Sequence, residues 1–451
     1  MKIEKKFKNL HFIGIGGISM SALAMYCARL GIGVDGSDID INRETRMLQN
    51  NGVEVNIPHC EENIPLKCSA CVYTSAIAED NVELVTAKKR NIFRLRRERL
   101  LGYIFNDFPT RIAIAGSHGK TSTTNLLAHT LKQCGLSPTA FVGANVGKTG
   151  GYIEGERDIV IAEACEYKGS FLYLKPTISI LLNAELDHTD YYKSIDDIDA
   201  TYQKFLNRTS PYGLSIICGD AVNKRVYKGI KSPVVTYGLS AKNDYVLSKI
   251  TETNGFYEGD IWKDELFLTH IKSGIVGRNS LLNAVSVYIA CAKLGVSSDK
   301  TIQAIATFTG TSRRWETRAC PLCNVVLDYA HHPTQVKELI YTAKELKYSR
   351  IFAVFEPHTY SRTRDFLDRF AQSFVGVDTA IILPIYAARE KPIDGINHYL
   401  LADKTAELGT KTLCFSDYLE TASWLKNTVR QDDLVLIIGA GNIYKLADLL
   451  S

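Results

Sequence analysis

The sequence predicts an α/β protein built on mainly parallel sheets, and two patterns carry that expectation. Three segments each run from a short apolar strand through a turn into a helical pattern: NLHFIGIGGISMSALAMYCARLG from residue 9, RIAIAGSHGKTSTTNLLAHTLKQCG from residue 111 and NVVLDYAHHPTQVKELIYTAKEL from residue 324. Around them DIVIAEAC, TISILLNA, RIFAVFEP, TAIILPIY and DLVLIIGAG are apolar almost throughout, as strands buried on both faces must be. Strands alternating with helices of this length imply βαβ units, which collect their ligands at the carboxyl ends of the strands.

With 451 residues the chain exceeds a single core, so two to four domains are expected. Breaks near 106–109 and 309–312 divide it into 1–107, 108–311 and 312–451. Hydrophobic residues make up 45% and charged residues 23%, the balance of a globular protein rather than a disordered one. The net charge of +4 is spread along the chain and gives nucleic-acid binding no support. One basic cluster, RNIFRLRRER (90–99), reads either as the solvated face of a strand-to-helix junction or as an anion-facing patch. No apolar run is long enough to span a bilayer, and the opening residues lead straight into a strand and turn, unlike a leader peptide. A cytoplasmic protein without membrane or nucleic-acid partners is expected. Of the eleven cysteines, Cys68/Cys71 and Cys320/Cys323 form CxxC pairs too far apart in sequence for a zinc ribbon, so reduced thiols are expected.

Taken in order, the first turn is Gly14-Ile15-Gly16-Gly17-Ile18-Ser19, close to a dinucleotide fingerprint but with Ser19 at the last glycine. Asp38 falls where a ribose-binding acid would stand. In the second, Gly116-Ser117-His118-Gly119-Lys120-Thr121 sits between a strand and a long helix. Such a turn offers backbone N–H groups and the positive helix end to phosphate, while Lys120 can reach the terminal phosphates and Thr121 a divalent cation. Glu163 and His188 both follow buried strands of the same sheet, where a carboxylate and an imidazole can hold metal against a nucleotide. The third segment, DYAHHP, lies between SRRWE and EPHTYSRTR. Arginines and histidines at strand ends read as a site for an anionic substrate.

GIGGISMSALA, GSD, AGSHGKTSTT, AEACEYKGSFL, NAELDH, GRNSLLNA, TSRRWE, DYAHHPT, PHTYSRT and GAGNI, in this order over almost the whole chain, closely resemble the Mur ligase family. DYAHHP with PHTYSRT resembles its alanine-adding branch. The resemblance implies a Rossmann-like N-terminal domain for a UDP-sugar, a central P-loop ATPase-like doubly wound domain and a Rossmann-like C-terminal domain that brings the amino acid. It also implies the reaction: ATP-dependent amide formation between the lactyl carboxylate of UDP-N-acetylmuramate and L-alanine, through an acyl phosphate, in cell-wall precursor synthesis.

On that resemblance ATP is bound by Gly116, Ser117, His118, Gly119, Lys120, Thr121, Ser122, Asn283, Arg314 and Asp328, with Mg²⁺ or Mn²⁺ on Thr121, Glu163 and His188. The UDP-sugar falls to Gly14, Gly16, Gly17, Ile18, Asp38 and Ser75, and the amino acid to His332 and Arg362. Lys120, His188, Arg314 and His332 carry the chemistry. The partners implied are small molecules, and the protein is expected as a monomer or homodimer. Besides Ser19, two residues depart from the family pattern: Ser280 where many relatives have Asn, and Thr359 where some have Arg.

Overall fold

The chain is described by a computed structural model covering residues 2–147, 149–388 and 390–450. Three sheets follow one another along it, each opened by one of the strand-turn-helix segments.

The first sheet holds β1 (Asn9–Ile13), β2 (Gly33–Ser37), β3 (Glu54–Asn56), β4 (Ala70–Tyr73) and β5 (Phe93–Arg96) in the order β3-β2-β1-β4-β5. All four pairings are parallel. The chain reverses direction across the sheet at β1, so the turn after β1 opens at the switch point, where ligands collect. Inside this sheet His11 is fully buried, its Nδ1 2.5 Å from Asp35 Oδ1 and its Nε2 3.3 Å from Glu83 Oε2. Ser37 donates to the same Glu83 carboxylate, which also accepts from Cys60 N and Asn63 Nδ2. Strands β1 and β2 and the start of helix Val82–Lys89 are thereby tied together by polar contacts, beside the apolar cluster in which Ile13 meets Leu84 and Ala87.

The second sheet is larger. Strands β6 (Thr110–Ala115), β7 (Pro138–Phe141), β8 (Tyr152–Ile153), β9 (Glu156–Glu163), β10 (Ile178–Leu181), β11 (Leu214–Cys218) and β12 (Val234–Gly238) are joined by β13 (Tyr245–Thr253), β14 (Phe256–Lys263) and β15 (Leu266–Val276). Their order is β15-β14-β13-β12-β11-β10-β6-β9-β7-β8. The antiparallel run β13-β14-β15 departs from the mainly parallel expectation. Its residues alternate buried and exposed along β14, the mark of a sheet with one solvated face, and the Asn254-Gly255 turn between β13 and β14 has both residues at positive φ, as a tight hairpin requires.

The third sheet is β16 (Glu316–Arg318), β17 (Asn324–Asp328), β18 (Ile351–Phe355), β19 (Thr379–Ile382), β20 (Thr412–Cys414) and β21 (Leu434–Ile438), in the order β16-β17-β21-β18-β19-β20 with only β16 antiparallel.

Burial divides these units unequally. One apolar cluster runs through the first and second sheets together, with Tyr26 of helix Ile18–Arg29 edge-on to Phe141 at 5.5 Å and to Tyr152 at 6.0 Å. The two clusters on the faces of the third sheet draw only on residues of the third unit itself.

Candidate active site between the second and third sheets

The phosphate loop leaves the end of β6 and enters helix Lys120–Gln133, whose N-cap is Gly119 at φ 83. A side chain at Gly119 would be strained there and would also come 3.2 Å from Asn283 Nδ2, so only glycine brings the loop this close to helix Arg278–Lys293. Asn183 fastens the loop by accepting from His118 N and donating to His118 O, at 2.9 and 3.1 Å. Lys120 Nζ donates to Gly116 O, Ser117 O and both oxygens of Glu166, the latter at 2.9 and 3.1 Å.

Glu166 was not visible as a site residue in the sequence, because AEACEY reads as a strand followed by a loop. Its carboxylate is fully buried and also lies 3.5 Å from His188 Nε2. Burial penalises the Glu166 charge, but Lys120 and then His188 outweigh it and hold the group below the usual carboxylate range. Thr121 Oγ1 donates to Glu163 Oε2 at 3.1 Å, and Gly143 N donates to the other oxygen. Burial raises the Glu163 carboxyl despite these bonds and Lys120. An under-neutralised carboxylate beside a threonine hydroxyl fits a divalent cation. Of the three residues expected to hold metal, Thr121 and Glu163 are in direct contact, whereas the close partner of His188 is Glu166.

Asn283, Arg314 and Asp328 meet His118, Gly119 and Ser122 around one cavity of about 420 Å³ spanning the second and third units. Asp328, at the end of β17, accepts from Trp315 N and Ala330 N, both at 2.8 Å. Ser280 lines the same cavity and turns its hydroxyl onto Ile275 O and Gly277 O. Backbone strain gathers nearby: His188, Arg313, Trp315 and Thr359 all have positive φ, a conformation side-chain-bearing residues keep only where the surroundings impose it.

The two residues assigned to the amino acid part company. Arg362 is 8% exposed, donates to Asp187 Oδ1 at 2.9 Å, and places Nη1 3.2 Å from His358 Nδ1. His332 is fully buried, its ring 4.7 Å from that of His118 and 4.9 Å from that of Phe366, and it too feels the Asp187 charge. It caps helix Pro333–Glu345. The residue on the Arg362 side is His331, whose ring faces His358 at 5.9 Å. Burial, then the Arg362 charge, push its pKa well below the ordinary imidazole value. Two adjacent histidines at a helix start point in different directions, and spacing alone cannot tell them apart.

In the first unit Gly14 has φ 78, and the N–H of Gly16 donates to Asp38 Oδ2 at 2.7 Å. A Cβ at Gly16 would lie 2.7 Å from Asn42 Nδ2 and 2.9 Å from Asp38 Oδ2. Asp38 Oδ1 accepts from Ile39 N, so the carboxylate is fixed at the edge of the loop and, being half-buried, keeps acceptor positions open. Gly17 caps the helix that Ile18 begins, and Ser75 is exposed in the turn after β4. Arg97, from the basic cluster, donates to Ser19 Oγ at 3.0 Å, which turns one of its cations toward the glycine loop.

A phosphate loop facing an arginine and a carboxylate across two α/β units, with a further α/β unit ahead of them, defines an ATP-using ligase of three-domain build. Residues 9–109, 114–291 and 313–441 match, in turn, the Mur ligase catalytic domain, the Mur ligase middle domain and the Mur ligase glutamate ligase domain. The chain belongs to the Mur ligase family.

Over 99% of its length the chain is 39% identical to a UDP-N-acetylmuramate–L-alanine ligase of Caldanaerobacter subterraneus subsp. tengcongensis, covering 98% of that protein. It is 37% identical to the ligase of the same name from Clostridium botulinum, with the same coverage. Among solved structures it is similar to the UDP-N-acetylmuramate-alanine ligase of Thermotoga maritima, with TM-score 0.83 and 25% identity over 98% of this chain and 97% of that one. Among the described residues no helix is long and apolar enough to cross a membrane.

Proposed function

We propose that the chain is an ATP-dependent ligase that joins the lactyl carboxylate of UDP-N-acetylmuramate to L-alanine and releases ADP and phosphate, a step of peptidoglycan precursor synthesis. The observation that carries the reading is the single cavity in which Gly119, Ser122 and Asn283 face Arg314 and Asp328, with Lys120 and Thr121 at the helix start beside it and Arg362 held by Asp187.

A carboxylate resists attack because its charge repels the nucleophile. ATP phosphorylates it to an acyl phosphate, and the neutral amine of alanine then displaces phosphate. Lys120 stabilises charge on the transferred phosphoryl group, Arg314 faces it from the third unit, and closing the cleft between the two units keeps water from the intermediate. Thr121, Glu163 and His188 would hold Mg²⁺ or Mn²⁺, which when bound screens the phosphate charges. Asn283 and Asp328 take the adenosine, and Arg362, with His331 and His358 nearby, takes the amino-acid carboxylate. The UDP-sugar is assigned to Gly14, Gly16, Gly17, Ile18, Asp38 and Ser75, Asp38 also bonding the Gly16 N–H. We place the domain joints at 107/108 and 311/312 and the protein in the cytoplasm, as monomer or homodimer.

Phosphate release measured with UDP-N-acetylmuramate and a panel of amines tests the reading. Release should require both the sugar acid and L-alanine. Equal release with glycine, serine or a preformed peptide would move the assignment to another amine, and none with any of them would remove the ligase.

A further inference from the structure

The segment that follows β10 runs past both halves of the site, and its residues alternate. Ala184 and Leu186 pack onto the apolar cluster of the first and second sheets, and His188 faces Glu166 and the Tyr167 ring. The residues between them turn the other way. Glu185 Oε2 accepts from Thr334 Oγ1 at 2.8 Å, Asp187 Oδ1 accepts from Arg362 at 2.9 Å, and Thr189 Oγ1 donates to Asp365 Oδ2 at 2.6 Å. Thr334, Arg362 and Asp365 all belong to the third unit, whose apolar clusters are its own. Gln335 reinforces the first of these contacts by donating to His118 Nδ1 at 3.0 Å.

We propose that Glu185, Asp187 and Thr189 form a polar seam that sets how the third domain closes, and that Glu185 and Thr189 thereby act as positioning residues for Arg362. One irregular segment, turning at His188 with φ 53, presents His188 to Glu166 and the residues on either side of it to the closing domain. Nucleotide placement and the position of the amino-acid arginine are therefore coupled through a single backbone segment.

By spacing, His118, Glu185 and His332 could instead gather round a cation, since donor atoms of all three lie within 4.8 Å of one another. The tautomers oppose it. Gln335 Oε1 accepts from His331 N and His332 N, which leaves its amide N–H to donate to His118 Nδ1. His332 Nδ1 likewise accepts from Thr334 N, at 3.4 Å. Each ring nitrogen Nδ1 being an acceptor, the proton sits on Nε2, which in His118 points at Glu185 Oε2 from 3.6 Å and in His332 has no hydrogen-bond partner, whereas a metal-bound histidine donates from the nitrogen that does not bind. The cluster serves closure.

The effect on the amino acid rests on the ligase reading; the closure itself does not. Four full-length variants test it: Thr334→Val, Thr334→Ser, Thr189→Val and the double valine variant. Small-angle scattering with a non-hydrolysable ATP analogue and Mg²⁺ should show compaction of the wild type and of Thr334→Ser, and less in each valine variant. In kinetics, the valine changes should raise the KM for L-alanine about tenfold while nucleotide affinity, measured without amino acid, stays within about twofold. Undiminished compaction in the double variant, a serine variant no better than valine, or parallel loss of nucleotide affinity would each overturn the seam. Should wild-type phosphate release prove independent of any amino acid, the ligase reading fails and the scattering still decides the seam.

Discussion

Lys120 spends its three protons on two loop carbonyls and Glu166, which fixes the ammonium at the helix start to which the proposed function assigns the terminal phosphates. Lys120→Ala should cut turnover by orders of magnitude and leave UDP-sugar affinity intact, because that ligand is assigned to a different sheet; calorimetric titration with the UDP-sugar would contradict the assignment if affinity fell in step. Arg362→Lys keeps a charge but loses the planar fork now shared between Asp187 and His358. The KM for alanine should rise well above any change in that for ATP, and an unaltered alanine dependence would take Arg362 out of the site. Glu163→Gln keeps the volume and removes the charge that faces Thr121, so a Mg²⁺ titration of activity should shift to higher concentration. At this scale much was readable beforehand: GKT at a helix start and Glu163 at a strand end follow from local chemistry. What was not readable depended on distant partners. Asp38 bonds the Gly16 N–H, Lys120 and His188 converge on Glu166, and His331 and His332 meet different neighbours because His332 caps a helix.

Among the elements, β1, β2 and helix Val82–Lys89 are joined through His11, Asp35, Ser37 and Glu83. Burial alone would lower the His11 pKa, but hydrogen bonds from the ring to Asp35 and Glu83 raise it from 6.5 to about 9. Because the folded value is the higher one, the stabilisation is complete below pH about 6.5 and is lost as pH climbs to about 9. Its upper limit is on the order of 3 kcal/mol. Urea unfolding across that window should show stability falling with pH, and His11→Gln should flatten the slope; an equal slope in the variant would show that another group titrates. Parallel strands such as β10, β18, β19 and β21 were legible because burial on both faces leaves an apolar run, whereas the partly exposed β3 and β5 leave none. The hairpin strands β13 to β15 were not, since their half-exposed alternation is the weaker signal and their partners are fixed by the Asn254-Gly255 turn.

For the whole molecule, the first two units share one apolar cluster while the third keeps its own. The sequence showed that there were three strand-turn-helix openings. Which two of the resulting sheets would fuse was hidden, because it rests on Tyr26, Phe141 and Tyr152 meeting across more than a hundred residues of chain.

The cavity walled on one side by Asn283 and on the other by Asp328 bears on the timing of the cycle. If nucleotide occupies this cavity as proposed, the spent nucleotide lies against a unit of more than a hundred residues and leaves only after that unit has moved through solvent. If this departure limits the cycle, turnover should fall as glycerol or sucrose thickens the medium, while a crowding polymer that leaves microviscosity unchanged should have little effect. A rate indifferent to viscosity would place the slow event in bond-making instead.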